Sequence, residues 1–219
     1  MKPGEIVNEQ ELLRQRDIRR SVRQTYGNRG TTYHIETYGC QMNDHDSERL
    51  AGMLQEMGFS RAQEKSAADL ILFNTCCVRE HAESRVFGNI GALKAVKDEK
   101  PNLIIGVCGC MMQQQGVGER LFARFPFVDL VFGTHNLYAF GELLQSVLEG
   151  KRQLAFAPVE GDIPEGLPAA RQEGFSTNLT IMHGCDNYCS YCIVPYVRGR
   201  ERSRSASRVV AEAAELAAR

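Results

Sequence analysis

Residues 70–77 read Leu-Ile-Leu-Phe-Asn-Thr-Cys-Cys: four apolar residues, then two polar residues and two cysteines. A short apolar run bounded by polar residues is typical of a strand that is buried on both faces, as in a parallel sheet. The segment therefore predicts a buried strand that carries two thiols at its carboxyl end.

The same arrangement recurs on both sides of this segment. Further strands are predicted at residues 33–38, 103–107 and 128–132, and they lead into Gly39-Cys40, Cys108-Gly109-Cys110 and Gly133. Between and after the strands, apolar residues recur at helical spacing: Leu50, Met53, Leu54 and Met57; Val86, Ile90 and Leu93; Phe140, Leu143, Leu144 and Val147. This alternation predicts an α/β fold, an open parallel sheet with helices on both faces.

Cysteines stand at three of the predicted strand ends: Cys40, the pair Cys76/Cys77 and the pair Cys108/Cys110. In open parallel sheets, functional sites form outside the carboxyl ends of the strands. One such cysteine is most simply a small buried residue, but three in the same topological position predict thiols that converge at one edge. The residues alone do not decide which member of each pair contributes.

Composition divides the chain into four segments. They are a polar extension (residues 1–30), the α/β domain (31–150), a linker rich in proline and glycine (151–173) and the start of a second domain (174–219). The extension contains a helix candidate around Glu9–Val22 and is interpreted as solvated or partly disordered. The second domain is predicted to have a strand at 176–182 and a helix at 207–218, one βα unit.

The composition narrows the class of protein. The 219 residues include eight cysteines and carry a net charge of −1. No apolar run approaches the ~18 residues of a membrane span, and no apolar signal core follows the first residues. We therefore expect a cytoplasmic protein with no membrane partner, in which clustered cysteines bind metal or do redox chemistry.

The arginines between 198 and 208 form a basic run. They are either phosphate contacts or a solvated face.

The most informative spacing is Cys185-x3-Cys189-x2-Cys192, directly after the predicted strand. Three thiolates on one tight loop suit an iron–sulfur cluster, and three ligands on a four-iron cube leave one iron open to a small molecule. The competing interpretation is a zinc site in which His183 is the fourth ligand. The spacing leaves both open.

Four motifs together resemble a known family. They are residues 37–43 (TYGCQMN) with Asp46-Ser47-Glu48, residues 74–80 (NTCCVRE), residues 109–113 (GCMMQ) and residues 184–204, which contain the cysteine loop. These motifs are similar to those of radical-SAM methylthiotransferases, and specifically to the branch that makes 2-methylthio-N(6)-isopentenyladenosine in tRNA. The resemblance covers about residues 31–208.

The resemblance implies a two-cluster transferase. Cys185, Cys189 and Cys192 would hold a catalytic 4Fe–4S cluster that binds S-adenosylmethionine, in the first βα unit of a partial (β/α) barrel. Cys40, Cys76 and Cys110 would hold an auxiliary 4Fe–4S cluster on the N-terminal domain. Cys77 and Cys108 are then interpreted as packing residues. The substrate would be isopentenylated adenosine beside the tRNA anticodon, and a flavodoxin or ferredoxin would supply electrons.

Three alternatives accompany this interpretation: a methylthiotransferase that acts on threonylcarbamoyl-adenosine tRNA, one that acts on a ribosomal protein, and a non-enzymatic zinc-stabilised RNA-binding module. Residues 171–219 suffice for about one βα unit, whereas a complete eight-unit barrel takes ~250 residues. We therefore expect a fragment that lacks most of the barrel and the C-terminal TRAM domain and is inactive alone. The sequence makes no prediction of oligomeric state beyond compatibility with a monomer.

Overall fold

A computed structural model describes residues 7–77, 82–156, 163–171 and 177–218. Its centre is a six-stranded parallel sheet with the order β2-β1-β3-β4-β5-β6. The strands are β1 (Thr32–Thr37), β2 (Ser60–Arg61), β3 (Leu70–Thr75), β4 (Ile104–Gly109), β5 (Leu130–Phe132) and β6 (Gln153–Ala155). The predicted α/β fold with an open parallel sheet is confirmed.

Helices cover both faces of this sheet. They are α1 (Glu9–Tyr26), α2 (Gln41–Glu56), α3 (Ala82–Glu99), α4 (Val117–Arg124) and α5 (Phe140–Leu148), with a 3-10 turn (Thr134–Ala139) before α5. Alternate strand residues point to opposite faces. Leu70, Leu72 and Phe132 therefore pack with α1, α2 and α5. Ile71, Phe73 and Val107 pack with α3 and α4 on the other face. The apolar stripes predicted for α3 and α5 are buried in these two cores.

Two segment interpretations need correction. The N-terminal segment is not solvated throughout, because α1 packs on α5 and its Gln15, Arg19 and Val22 are buried. Its helix extends to Tyr26, beyond the predicted end at Val22. The predicted linker contains strand β6, which pairs with β5 and extends the sheet. A three-residue edge strand is too short to give a clear periodic signal in sequence.

The later part of the predicted linker packs against α2. Residues 163–171 cross α2 closely enough that a Cβ at Gly52 would stand 2.6 Å from the carbonyl carbon of Pro168. Ala170 donates its N–H to the Glu48 carbonyl at 2.8 Å. The glycine in the middle of α2 thus admits another backbone that a side chain would exclude.

The second part of the chain has short elements. They are β7 (Met182–His183), α6 (Val194–Arg198), β8 (Arg202–Ser203) and α7 (Ala206–Ala217). The predicted helix at 207–218 corresponds to α7. The strand predicted at 176–182 is wrong over 177–181, because only β7 forms and it pairs antiparallel with β8. Residue 176 lies outside the described residues.

No helix in the described part of the chain is both long and apolar enough to cross a membrane. Residues 78–80 of the second motif lie outside the described residues.

Candidate functional site

The cysteines at the sheet edge follow three neighbouring strands. Cys40 comes after β1, where it is the N-cap residue of α2, and Cys76 and Cys110 come after β3 and β4. Because β1, β3 and β4 are adjacent in the sheet, these residues lie at one carboxyl edge. Cys40 is exposed, whereas Cys76 and Cys110 are buried.

The thiols at this edge make contacts in two pairs. Cys40 is hydrogen-bonded to Cys76, and Cys77 to Cys110. The second contact was not predicted, because Cys77 was interpreted as a packing residue. Among the described residues, no three His, Cys, Asp or Glu side chains converge as they would around a single metal ion. The thiolates of a four-iron cube each bind a different iron, so they stand further apart than the ligands of one ion.

Cys108 belongs to the core and not to this edge. It is 2% exposed and packs with the α1/α2/α5 face, and burial raises the pKa of its thiol. Between Cys108 and Cys110, Gly109 has φ +99°, and a Cβ there would stand 2.4 Å from the Thr75 carbonyl oxygen. This turn ends β4, so Cys108 and Cys110 do not share a face as they would along a continuous strand.

The electrostatic surroundings favour ionisation of Cys40. Its hydrogen bond with Cys76 is the largest cause that lowers its pKa, to about 5, and the N–H groups of Asn43 and Met42 and the charge of Arg198 add to the effect against burial. Backbone N–H groups at a helix start stabilise a thiolate in this way. In the other pair, the hydrogen bond to Cys77 and burial raise the pKa of Cys110, and the positive charge of Arg198 opposes them.

Two asparagines hold the strand ends around these cysteines. Asn43 donates to the carbonyls of Tyr38 and Thr75, each at 2.9 Å. Asn74 donates to the carbonyl of Asn43 at 2.8 Å and to the hydroxyl of Ser47 at 2.9 Å. These bonds join the segments that follow β1 and β3 to the start of α2. The asparagines of both motifs therefore have an orienting role, which the sequence analysis did not assign.

Arg198 reaches this edge from the second part of the chain. It lies at the end of α6 and is 8% exposed. Its guanidinium forms an ion pair with Asp46 at 2.6 Å and donates to Asn43 Oδ1 at 2.8 Å and to Cys110 Sγ at 3.0 Å. Burial lowers the pKa of Arg198, but Asp46 and Cys110 outweigh it and raise the pKa above its usual value.

The arginine run is therefore divided between interior and surface. Besides Arg198, Arg204 has a side chain that is only 5% exposed, in ion pairs with Glu165 and Glu212, both at 2.8 Å. Arg200 and Arg208 are exposed. The interpretation of the whole run as one surface for phosphates or solvent is wrong for Arg198 and Arg204, because both are ion-paired inside the fold.

The second cysteine set lies on the loop between β7 and α6. Cys185 and Cys192 are half-buried and Cys189 is exposed. The start of the loop is bonded to the residue that follows α6: Cys185 donates its N–H to the Gly199 carbonyl at 3.2 Å. Gly184 has φ +75°, and a Cβ there would overlap the Arg200 carbonyl oxygen at 2.0 Å. A glycine is thus required where the loop begins.

His183, the fourth ligand of the zinc alternative, has an unfavourable environment for binding a cation. Burial, first, and then the nearby charges of Arg49, Arg198 and Arg202 together lower its pKa to about 4, against the charge of Asp46. Three arginines repel a metal ion as they repel a proton. The charges around His183 therefore disfavour its use as a zinc ligand.

Comparison of the sequence with models of known protein families finds a match within the α/β domain. Residues 32–133, which make up most of the α/β domain, match the family described as Uncharacterized protein family UPF0004. The match ends at Gly133, so it includes Cys40, Cys76 and Cys110 with their strands.

The relatives are more specific. Over 86% of its length the chain is 54% identical to the tRNA-2-methylthio-N(6)-dimethylallyladenosine synthase of Clostridium tetani, of which it covers 42%. It is 57% identical over 85% of its length to the protein of that name from Caldicellulosiruptor saccharolyticus, covering 40%. It is 50% identical over 97% of its length to the protein of that name from Alkaliphilus oremlandii, of which it covers 45%. These relatives confirm the resemblance to the methylthiotransferase family. The chain spans less than half of their length.

Proposed function

We propose that this chain carries the two cluster sites of an enzyme that methylthiolates carbon 2 of N(6)-isopentenyladenosine in tRNA. The observation that carries the proposal is the placement of Cys40, Cys76 and Cys110 at three adjacent strand ends, in a chain about half identical to synthases of that name. The substrate is isopentenylated tRNA, the electron donor is a flavodoxin or ferredoxin, and the compartment is the cytoplasm.

The donor set at the sheet edge fits an auxiliary 4Fe–4S cluster. Cys40, Cys76 and Cys110 provide three thiols, and Cys40 is already biased toward the thiolate form that binds iron. The start of α2 and the guanidinium of Arg198 offset the negative charge that three thiolates bring. Asn43 and Asn74 fix the backbone on which the ligands stand.

Cys185, Cys189 and Cys192 fit the second cluster, which binds S-adenosylmethionine. All three lie within eight residues of one loop between β7 and α6, whose start is bonded to Gly199 just after α6, so they can reach a common cluster. When bound, the two clusters supply reductive cleavage of S-adenosylmethionine and delivery of the methylthio group. The protein binds and orients them, and α6 joins the loop to the edge of the sheet through Arg198.

We also propose the domain division given above with one boundary moved: an extension (1–30) whose α1 packs on the α/β domain, an auxiliary-cluster domain that runs from 31 to Ala155 and not to 150, a connecting segment that ends at 173, and a catalytic domain that begins at 174. Strand β6 suggests that the sheet continues to Ala155, so the connection between the proposed domains would start after that residue.

The test is the metal content of two triple variants prepared anaerobically. Replacing Cys185, Cys189 and Cys192 with alanine should leave about half of the parent protein's iron, bound as a brown 4Fe–4S cluster with an EPR signal after reduction. Replacing Cys40, Cys76 and Cys110 should leave the other half. Circular dichroism checks that both variants fold.

Two outcomes would reject the proposal. A colourless parent protein that contains zinc and no iron would favour the zinc-stabilised module. Loss of all iron from a folded Cys185/Cys189/Cys192 variant would remove the auxiliary site. The matched control is Cys108→Ala, which lies near the auxiliary site but in the core, and which should keep the full iron content.

A further inference from the structure

Arg198 follows Cys185, Cys189 and Cys192 in the sequence, but its side chain contacts Cys110, which is one of the cysteines at the sheet edge. It ends α6, which begins two residues after Cys192. The neighbouring Val197 is 1% exposed and its carbonyl accepts a hydrogen bond from Thr134 at 3.0 Å. Arg198 is thus held in place by the docking of α6 on the α/β domain.

Each side of the guanidinium group has a different partner. Nη1 pairs with Asp46 at 2.6 Å, Nη2 donates to Asn43 Oδ1 at 2.8 Å and Nε donates to the sulfur of Cys110 at 3.0 Å. The planar guanidinium group of arginine can donate N–H bonds in these three directions at once, whereas the ammonium group of lysine is a compact point charge. Asp46 and Asn43, both on α2, therefore aim the Nε–H at the sulfur.

We propose that Arg198 is a positioning residue that raises the reduction potential of the auxiliary cluster through its N–H bond to the Cys110 sulfur. The inference rests on the proposed function, since it requires a cluster on Cys110. Hydrogen bonds to ligand sulfurs are among the factors that set the potential of such clusters, because they stabilise the extra negative charge of the reduced state. Arg198 also ties that potential to the seating of the second cysteine loop, because the same residue ends α6.

The experiment uses a background that holds only the auxiliary cluster, the Cys185/Cys189/Cys192 alanine variant. In it, Arg198→Gln is combined with Asp46→Asn, which removes both charges of the ion pair and leaves no unpaired buried charge. Anaerobic redox titration followed by EPR gives the midpoint potential. The double variant should have a more negative midpoint than the background.

The matched control is Arg204→Gln with Glu165→Gln. This pair is also largely covered, with side chains 5% and 17% exposed and 2.8 Å apart, but neither side chain contacts a cysteine in the described part of the chain. It should leave the midpoint unchanged. A folded, cluster-loaded Arg198/Asp46 variant with the midpoint of the background would overturn the inference. A background that binds no iron would instead contradict the proposed auxiliary site itself.

A second measurement needs no substitution at Arg198. Protein with ¹⁵N-labelled arginine, in the same background, is reduced and studied by pulsed EPR. A ¹⁵N coupling to the cluster is expected from Nε of Arg198, since it bonds a ligand sulfur directly. The absence of any ¹⁵N-arginine coupling would overturn the inference even if the Arg198/Asp46 variant did not fold.

Discussion

Nη1 of Arg171 lies 3.0 Å from Nδ1 of His45, where residues 163–171 pack against α2. The same guanidinium donates to Glu48 at 2.6 Å and pairs with Glu212 of α7. Since arginine is always a donor, Nδ1 must accept and the imidazole must be neutral. The contact of this segment with α2 therefore requires a histidine without charge.

The first prediction concerns pH. Burial, and then the charge of Arg49, lower the pKa of His45 from 6.5 to about 3. As the pH falls from 6.5 toward about 3, the unfolded chain takes up a proton at this site that the folded chain refuses. The free energy of unfolding should therefore fall in this range, by up to ~1.4 kcal/mol per pH unit from this one residue.

Urea unfolding at a series of pH values checks this effect. The variant His45→Gln keeps an acceptor for Arg171 and should reduce the slope of unfolding free energy against pH. His34→Gln, at a half-buried strand position, is the control and should reduce it less. An unchanged slope in His45→Gln would show that folding does not lower the pKa of His45.

The second prediction concerns the close crossing at Gly52. Alanine normally stabilises a helix by ~1 kcal/mol over glycine. At Gly52, however, its Cβ would meet backbone atoms of Pro168 and Ala169 at 2.6 to 2.7 Å. Gly52→Ala should therefore destabilise the protein by ~1–3 kcal/mol. Gly88→Ala, in α3 with no atom within 4 Å of the new Cβ, should stabilise it. Denaturant titration compares the two, and equal stabilisation would mean that residues 163–171 do not pack on α2.

The third prediction separates the neighbouring thiols. Cys76→Ser and Cys110→Ser should each remove the auxiliary cluster's iron, because each takes away a proposed ligand. Cys77→Ala should keep the iron although it breaks the contact with Cys110. Cys108→Ala should keep the iron and lower stability by ~1 kcal/mol, because it leaves a small cavity in the core. Iron analysis measures the loss of iron, and denaturant titration measures the change in stability. Equal iron loss in the Cys77→Ala and Cys76→Ser variants would refute the proposed ligand set.

The fourth prediction concerns RNA. Arg200 and Arg208 are the exposed members of the arginine run, so Arg200→Ala with Arg208→Ala should weaken tRNA binding and reduce its dependence on salt. Arg120→Ala with Lys94→Ala removes the same charge from exposed positions on α4 and α3 and should have little effect. Fluorescence anisotropy at several salt concentrations measures both. Equal losses in the two variants would mean that total charge, and not this surface, governs binding.

Much of the sheet could be predicted from sequence because its central strands are buried on both faces. Short apolar runs bounded by polar residues, such as residues 70–73, are typical of such strands, and the helices after them show clear stripes. The edge strand β6 was not predicted, and the helix α1 was predicted as a helix but not as one that packs on the domain. The strand has three residues, and α1 is so polar that its buried Gln15 and Arg19 give no apolar pattern.

The candidate site could be predicted only as far as its topology. Cysteines after successive parallel strands must approach one edge, which the sequence shows directly. That Asp46 of α2 would meet an arginine from beyond the second cysteine loop depends on how the two parts of the chain dock. No local pattern around Arg198 distinguishes it from its exposed neighbour Arg200, because both are arginines in one basic run.

The N–H bond from Arg198 to the sulfur of Cys110 joins residues 88 positions apart. During translation the ribosome adds roughly 5–20 residues per second, so the thiol precedes its arginine by on the order of ten seconds. In that interval the nascent α/β domain can fold with Asp46 still lacking its cation. Insertion of iron before Arg198 emerges would meet a more open and more anionic edge than the finished protein presents. The order of synthesis thus places the ion pair of Arg198 with Asp46 after the appearance of all three auxiliary cysteines.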